Sequence, residues 1–390
     1  MGSFGDNKYL LLTGATGFLG SFLLNALVEK GYRIAVLCRP TGNESAEKRI
    51  AGILEWFGSP EVPEANLIVF EGYLEKENFG MKREDYLKMK NLVSDIIHCA
   101  SETSFSEKMR TELENVNITG LKNILQFAKS SNTQMFHYIS TAYTAGVASG
   151  TCREELHFTK DFYNAYEETK NTAEHICSDF CLSNGIGLNI YRPSIVYGHS
   201  ETGKTRKFNA FYYPVKALSY IKDIMTRDIV EREGKRAAAM GVVRKTDGKV
   251  FMPIRFFTKS SGKIDMIPID FFTGAFCAVM ETGKTSRIYH IAGDNPCGLR
   301  ELLEFTGRYF GIEGLEAVYD QNTSEKRTPL EELFNSYIKM YLPYISDERN
   351  FEVSNSKEIL SRSGLTCPEF DYQAFKKAVD YAVRNEWRNR

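Results

Sequence analysis

Tyr9-Leu10-Leu11-Leu12-Thr13-Gly14-Ala15-Thr16-Gly17-Phe18-Leu19-Gly20 is the stretch that decides the fold. A short apolar run ends at Thr13. Three glycines follow at G-x-x-G-x-x-G spacing, and helical apolar spacing (Leu19, Phe22, Leu23, Ala26, Leu27) runs from Phe18 to a stop at Gly31. A strand feeding a glycine turn that opens a helix is the context in which such a turn binds a dinucleotide. Gly14 permits the tight turn, Gly17 lets the backbone approach a pyrophosphate, and Gly20 lets the helix pack close to the sheet. The helix N-terminus adds amide donors and the positive end of its dipole. Thr16, Phe18 and Leu19, within and just after the turn, count with the glycines as cofactor contacts.

Outward from this turn the same rhythm continues. Arg33–Leu37 reads as a second strand, and apolar strands recur at Leu67–Phe70, Asp95–Cys99, Met135–Ile139 and Leu188–Tyr191. Helical patterns lie between them, at Gly120–Lys129 and Phe162–Leu182 for example. Strands alternating with helices indicate an α/β chain with a parallel sheet covered on both faces. The expected fold is a Rossmann-type doubly wound parallel sheet over residues 1–198 with a smaller, mainly helical substrate-binding lobe. Residues 199–262 break the rhythm and form the expected core of that lobe, with helices at Phe208–Tyr220 and Ile221–Arg236. Residues 263–297 are expected to return to the main sheet through strands at Ile264–Ile267 and Arg287–Ile291, and residues 298–390 to complete the lobe, mainly as helix.

The second strand ends at Leu37-Cys38-Arg39. An acidic residue there would accept hydrogen bonds from the ribose hydroxyls of NAD. Arg39 suits a 2′-phosphate instead, because a guanidinium binds phosphate through paired donors. Arg49, with Lys48, adds charge if its helix folds back. NADP(H) is therefore the expected cofactor.

Tyr166-Glu167-Glu168-Thr169-Lys170 has the Tyr-x-x-x-Lys spacing. On a helix, residues four apart share a face, so both side chains can enter one cleft. A free phenol, with a pKa of about 10, exchanges its proton poorly near neutrality. A nearby ammonium stabilises the phenolate and is expected to lower that pKa. The pair follows a strand ending Ile139-Ser140-Thr141, where a hydroxyl can bond the same substrate oxygen as the tyrosine. Thr141 takes that role, with Ser140 as the alternative. Arg192, Pro193 and Ser194 follow the next strand, at a point where the backbone could fix which face of a nicotinamide presents hydride. The bland reading of Arg192 is a structural ion pair.

Composition narrows the class further. Of 390 residues, 43% are hydrophobic, and the formal net charge is −1, which gives no bulk attraction to nucleic acid or anionic membranes. The eight cysteines include no C-x-x-C pair and suit a reducing cytoplasm. Cys177 and Cys181, one helical turn apart beside His175, read as packing rather than as metal ligands, and no metal is expected. Met1–Lys8 is polar and too short for a signal peptide, and no apolar run is long enough to span a membrane, so a cytoplasmic protein is expected.

Taken together, these residues resemble the extended short-chain dehydrogenase/reductases. The matching pieces are Thr13–Gly20, His98-Cys99-Ala100, Asn115–Gly120, Phe136–Thr141, Tyr166 with Lys170, and Tyr191–Gly198, in family order. Arg39-Pro40 with Arg49 downstream, Arg192–Val196, Ile264–Asp270 and Tyr289–Ala292 are similar to the branch of thioester reductase domains and fatty acyl-CoA reductases. The C-terminal stretch Tyr341–Tyr344 and Phe351 also resembles the acyl reductases. The resemblance implies a catalytic triad of Thr141, Tyr166 and Lys170, and a cofactor held by Gly14, Gly17, Gly20, Arg39 and Arg49, with Ala100 and Asn117 near its ribose. It implies an acyl thioester substrate, on coenzyme A or an acyl carrier protein, reduced to aldehyde or alcohol. One position departs: Gly72 is followed by Tyr73, where the family usually has an acidic residue near the adenine.

Other readings share the scaffold. A dehydratase needs an acidic pair after the strand hydroxyl, where this chain has Ala142 and Tyr143. An epimerase retains NAD and favours an acid where Arg39 stands. A ketone or hydroxysteroid-type dehydrogenase is excluded poorly. A non-catalytic NADP-binding regulator would commonly have lost the tyrosine or the lysine, and both are present.

Overall fold

A computed structural model describes residues 8–59, 62–63, 65–258, 262–282, 286–319, 326–345 and 347–389. The chain divides into two compact units, one of residues 1–194, 269–292 and 350–366, the other of 195–268, 293–349 and 367–390.

In the first unit, β1 (Tyr9–Thr13), α1 (Phe18–Glu29), β2 (Ile34–Cys38), α2 (Ala46–Phe57), β3 (Leu67–Glu71), α3 (Arg83–Leu92) and β4 (Val93–His98) alternate along the chain. Then come α4 (Arg110–Glu114), a π-helical turn at Asn115–Gly120, α5 (Leu121–Ser130), β5 (Met135–Ile139), the short β6 (Gly150–Cys152), α6 (Ala165–Asn184) and β7 (Gly187–Pro193). The strand Ile288–Ile291 arrives from much later in the sequence. It forms the edge of a seven-stranded sheet in the order Ile288–Ile291, β7, β5, β4, β1, β2, β3. Every pairing is parallel. Strands buried on both faces need apolar side chains throughout, and β1, β2 and β5 are buried at every position. From β1 the chain builds outward first through β2 and β3, then on the other side through β4. The strand order therefore reverses at β1, the place where open α/β sheets bind ligands.

The helix α6 is fixed at both ends. The Asn164 side chain accepts a hydrogen bond from the Glu167 amide at its start, and Gly185, at φ 66°, closes it in a left-handed cap. Along its buried face Cys177 and Cys181 pack into the core with Ala173.

A buried charged network ties α6 to β7. Arg192 Nε donates to Glu174 Oε1 at 2.9 Å and Nη2 to Oε2 at 2.5 Å, with both side chains essentially without exposure. The same guanidinium donates to the Glu155 carbonyl at 2.9 Å and the Arg153 carbonyl at 3.3 Å. Glu154 in turn accepts from the amides of His290 and Asn355. The loop after β6, the edge strand and residues 350–356 are thereby pinned together within this unit.

The second unit differs from the sequence expectation in several places. One helix, Tyr212–Glu231, replaces the two expected, because nothing between Tyr220 and Ile221 breaks it, and Gly234 at φ 67° separates it from a short helix at Lys235–Ala239. A strand at Val250–Thr258 pairs parallel with Ile312–Tyr319, inside stretches expected to be irregular and helical. Its burial alternates, with Val250, Met252, Ile254, Phe256 and Thr258 inside. Pro253 lies within the run, and the register shifts between Phe251 and Ile254, as expected where a residue cannot donate to the ladder. Met266–Pro268 does not return to the main sheet; it pairs parallel with Ile195–Tyr197. Residues 350–366 group with the first unit rather than with the second.

The Arg192–Glu174 pair allows a direct test. Arg192→Met leaves Glu174 buried without its partner and should lower unfolding free energy by about 3–5 kcal/mol in urea titrations, with much of the loss recovered by adding Glu174→Leu. A single-variant loss under about 1 kcal/mol would show that the pair does not hold α6 to β7.

Candidate active site and its family

The glycine turn closes on itself. The Gly17 amide donates to the Gly14 carbonyl at 2.9 Å, and the Ser21 amide to the Gly17 carbonyl at 3.0 Å as α1 begins. Gly14, at φ 75°, lies so close to the end of β4 that an added Cβ would stand 2.5 Å from the Ala100 nitrogen. The close packing expected of Gly20 against the sheet is instead made against the turn, since a Cβ at Gly20 would run into the Gly14 carbonyl. Gly17 opens α1 with no side-chain cap and no acidic residue in the first turn. The first amides, including those of Phe18 and Leu19, and the positive helix end are thus left for an anion. A tight turn with no room for a Cβ at Gly14 or Gly20, ahead of an uncapped helix start, fits a dinucleotide phosphate, and Thr16 within it is partly exposed.

At the end of β2, Arg39 is exposed, and α2 does fold back onto it. Arg49 Nη1 donates to the Arg39 carbonyl at 2.5 Å and reaches Cys38 Sγ at 3.7 Å. Two guanidinium-bearing residues therefore meet at this strand end. The nearby acid, Glu71, accepts the Ala46 amide at the start of α2. Tyr73, which stands where the family usually has an acid, has Lys76 Nζ 4.0 Å from its ring centroid.

Asn117 is buried in the π-helical turn, and its amide is fully engaged. Its Oδ1 accepts from Ser101 Oγ at 3.0 Å and the Glu102 amide at 2.9 Å, and its Nδ2 donates to the Glu102 carbonyl and Thr169 Oγ1. It fixes the loop after β4 to α6, so its own side chain is a clamp rather than a free ligand. Ala100, partly exposed, abuts Gly14.

Thr141, Tyr166 and Lys170 are brought together between the end of β5 and the start of α6. Thr141 is buried, caps the short 3-10 turn Ala142–Ala145, and lies close enough to the Tyr166 hydroxyl to draw its pKa down. Ser140 is not equivalent: its amide bonds the Tyr191 carbonyl, and its buried Oγ has no hydrogen-bond partner among the described residues. Lys170 is 2% exposed, with Nζ donating to the Ile139 carbonyl at 2.7 Å. Burial lowers its pKa to about 8, and the Glu174 carboxylate opposes that shift. Tyr166 keeps some exposure, yet the burial of its hydroxyl pushes its pKa well above the usual phenol value, against the pull of Thr141. This is opposite in sign to the acidification expected from Lys170: desolvation is the largest cause, and Glu167 and Cys99 add to it.

At the end of β7, Arg192 makes the structural ion pair, one of its two readings. Its guanidinium is committed to Glu174 and two backbone carbonyls and is not available to a cofactor. Pro193 pairs with Ile291 on the edge strand, and the Ser194 amide donates to the Ile291 carbonyl at 3.0 Å. Two residues passed over as family markers also belong to the site. His98 Nδ1 bonds Thr13 Oγ1 at 2.8 Å, and burial drives its pKa down to about 3, with Lys170 adding to the shift. Cys99 faces Tyr166 and Lys170 electrostatically, and burial pushes its thiol up to about 12.

The Male sterility protein family matches residues 12–275. The chain belongs to that family of extended short-chain dehydrogenase/reductases. As such it is an NAD(P)-dependent oxidoreductase of the thioester reductase and fatty acyl-CoA reductase branch. A linear gramicidin synthase chain of Brevibacillus parabrevis is 25% identical over 96% of this chain, which spans 7% of that protein. An NRPS-like oxidoreductase of Fusarium equiseti is 30% identical over 52% of this chain and 19% of its own length. A putative fatty acyl-CoA reductase of Drosophila melanogaster is 27% identical, covering 50% of this chain and 42% of its own. The chain thus spans less than half the length of these relatives. Among solved structures, the terminal R domain of the myxalamid PKS-NRPS pathway aligns with a TM-score of 0.76 at 21% identity, over 99% of this chain and 93% of that one. That likeness establishes the fold. Among the described residues, no helix is long and apolar enough to cross a membrane.

Gly20→Ala tests the cradle. Displacing the Gly14 carbonyl should weaken NADPH binding by about tenfold or more, read by fluorescence titration, which is the effect of roughly 1–3 kcal/mol of overpacking. Unchanged affinity would show that the phosphates are held elsewhere.

Proposed function

We propose that this chain reduces an acyl thioester, carried on coenzyme A or on an acyl carrier protein, with NADPH as the reductant. The observation that carries the reading is the Thr141–Tyr166–Lys170 cluster: a phenol beside a strand-end hydroxyl, one helical turn from an ammonium bonded to the Ile139 carbonyl. The branch of the family to which the chain belongs, and the peptide synthetases and fatty acyl-CoA reductase among its relatives, favour the thioester over other carbonyls.

The nicotinamide, when bound, supplies the hydride. The glycine turn and the first amides of α1 would hold the pyrophosphate, and Arg39 with Arg49 would bind a 2′-phosphate. Tyr166 stays protonated at neutral pH because its burial opposes phenolate, so its proton is available to the carbonyl oxygen. Thr141 Oγ1 bonds the same oxygen and helps carry its developing charge. Lys170, positive below a pKa of about 8, stabilises the phenolate as the proton leaves. The hemithioacetal then collapses to aldehyde and free thiol. Eight free cysteines suit a reducing compartment such as the cytoplasm.

The test is NADPH oxidation, followed by absorbance, against acyl-CoA and acyl-carrier thioesters. Turnover of a UDP-sugar with none of any thioester would reverse the reading, and tight NADPH binding without turnover on either would favour a regulator. Tyr166→Phe should lower turnover by about a thousandfold or more, at the upper part of the range for general acids, while NADPH affinity stays within about twofold. A large loss of cofactor binding would contradict the assigned role. Arg39→Asp should shift the NADPH-to-NADH preference by about tenfold or more towards NADH, since a charge-assisted pair is lost and a repulsion gained. An unmoved preference in steady-state kinetics would place the 2′-phosphate elsewhere.

A further inference from the structure

Lys170 is a buried cation without a carboxylate of its own. Among the described residues none lies within ion-pair distance of its Nζ; Glu174, one turn further along α6, is paired with Arg192. One direct partner is the Ile139 carbonyl, at 2.7 Å. The other is an aromatic face, with Nζ 4.2 Å from the centroid of the Tyr138 ring. A cation within about 6 Å of a ring centroid is attracted by the ring's quadrupole, most strongly where water is excluded, and Tyr138 is 2% exposed.

The ring is itself held. Tyr138 stacks on His98 with centroids 6.0 Å apart and an interplanar angle of 17°. His98 is bonded through Nδ1 to Thr13 Oγ1, at the end of β1 where the glycine turn begins. His98 is neutral, so it brings no like charge towards the ammonium. A continuous file of contacts therefore joins Thr13, His98, Tyr138 and Lys170 across β1, β4 and β5 to α6.

We propose that Tyr138 is a positioning residue whose ring stands in for the missing counter-ion of Lys170, holding its ammonium charged and aimed beside Tyr166. The inference rests on the catalytic reading of Lys170 given above. The other groups that bear on the ammonium are the Glu174 carboxylate, which favours its charge, the thiols of Cys99 and Cys177, which would do so only as thiolates, and His98, whose own protonation it opposes. None of them replaces the ring, because Cys99 and Cys177 are held as neutral thiols by burial and Glu174 is shared with Arg192.

The experiment compares three replacements of Tyr138. Tyr138→Phe keeps the π face, Tyr138→Leu removes it, and pentafluorophenylalanine at the same position keeps the shape while reversing the quadrupole. The last carries the test if the leucine variant fails to fold. Two readouts are taken. One is the 13C NMR titration of lysine ε-carbons in the cofactor-free protein, with the Lys170 signal assigned by its loss in Lys170→Met. The other is the pH profile of turnover. Lys170 is charged below its pKa, so weakening the cation moves its titration, and with it the alkaline limb of turnover, to lower pH. Tyr138→Phe should leave both in place. The leucine and pentafluorophenylalanine variants should move both downward by about one pH unit, with turnover reduced several-fold at pH 8 and little changed at pH 6.5.

A Lys170 titration that is the same in all three overturns the proposal, as does a phenylalanine variant that shifts as far as the leucine one. A titration that moves while the alkaline limb stays fixed supports the Tyr138 contact and removes Lys170 from catalysis, so the two readings fail separately.

Discussion

A buried ammonium governs the arrangement of the site. Removing an ion from water carries a penalty of several kcal/mol even after relaxation, so Lys170 can be 2% exposed only where fixed partners replace its hydration. The Ile139 carbonyl is one such partner and the Tyr138 ring another. Both come from β5, so α6 must be held in one register against the end of that strand. Tyr166, four residues earlier on the same helix, is then delivered to the Thr141 hydroxyl just past the end of β5. The Asn164 cap and the Asn117 clamp on Thr169 hold the same turn of helix from the other side.

A second buried charge lies one turn further along. Glu174 follows Lys170 by four residues and is essentially without exposure. On its own it would compete for the lysine and draw Nζ away from Tyr166. Arg192 takes up both carboxylate oxygens in a fork of two hydrogen bonds. The Glu174 field still supports the ammonium from a distance, but the short contact is made elsewhere. This division explains why an arginine at the end of β7 serves the site without touching a ligand. It also couples the site to the β6 loop and the edge strand, through the Arg153 and Glu155 carbonyls that share the guanidinium.

The sheet and the placing of Tyr166 with Lys170 on one helix were legible because their patterns are local. Tyr9–Thr13 and Met135–Ile139 are apolar runs with recognisable ends, and Tyr166 with Lys170 needs only one turn of helix. The ion pair of Arg192 was legible as one alternative, but its partner was not, since nothing local marks a buried glutamate eighteen positions earlier. The strand Val250–Thr258 was hidden by Pro253, which weakens a strand reading although a bulge accommodates it. Its partner, Ile312–Tyr319, lies some sixty residues away and is paired through tertiary contact alone. The sign of the Tyr166 shift was missed for a related reason: spacing places an ammonium near a phenol, but only the packed structure says how far that phenol has left water.

That sign suits the proposed direction of reaction. A dehydrogenase working on an alcohol needs the phenolate as base, and burial of Tyr166 works against it. A reductase needs the phenol, and burial keeps the proton in place until a substrate oxygen begins to gather charge. Lys170 then matters chiefly after the proton has started to move, when the phenolate left behind must be stabilised in a site with little water. The two groups are shifted in opposite directions, the phenol up and the ammonium down to about 8. Over the neutral range the pair is therefore protonated phenol with charged lysine, and it is the lysine that deprotonates first as pH rises. On this reading the alkaline limit of the reaction belongs to the residue that never touches the substrate oxygen, which is why its aromatic and carbonyl partners matter as much as the tyrosine itself.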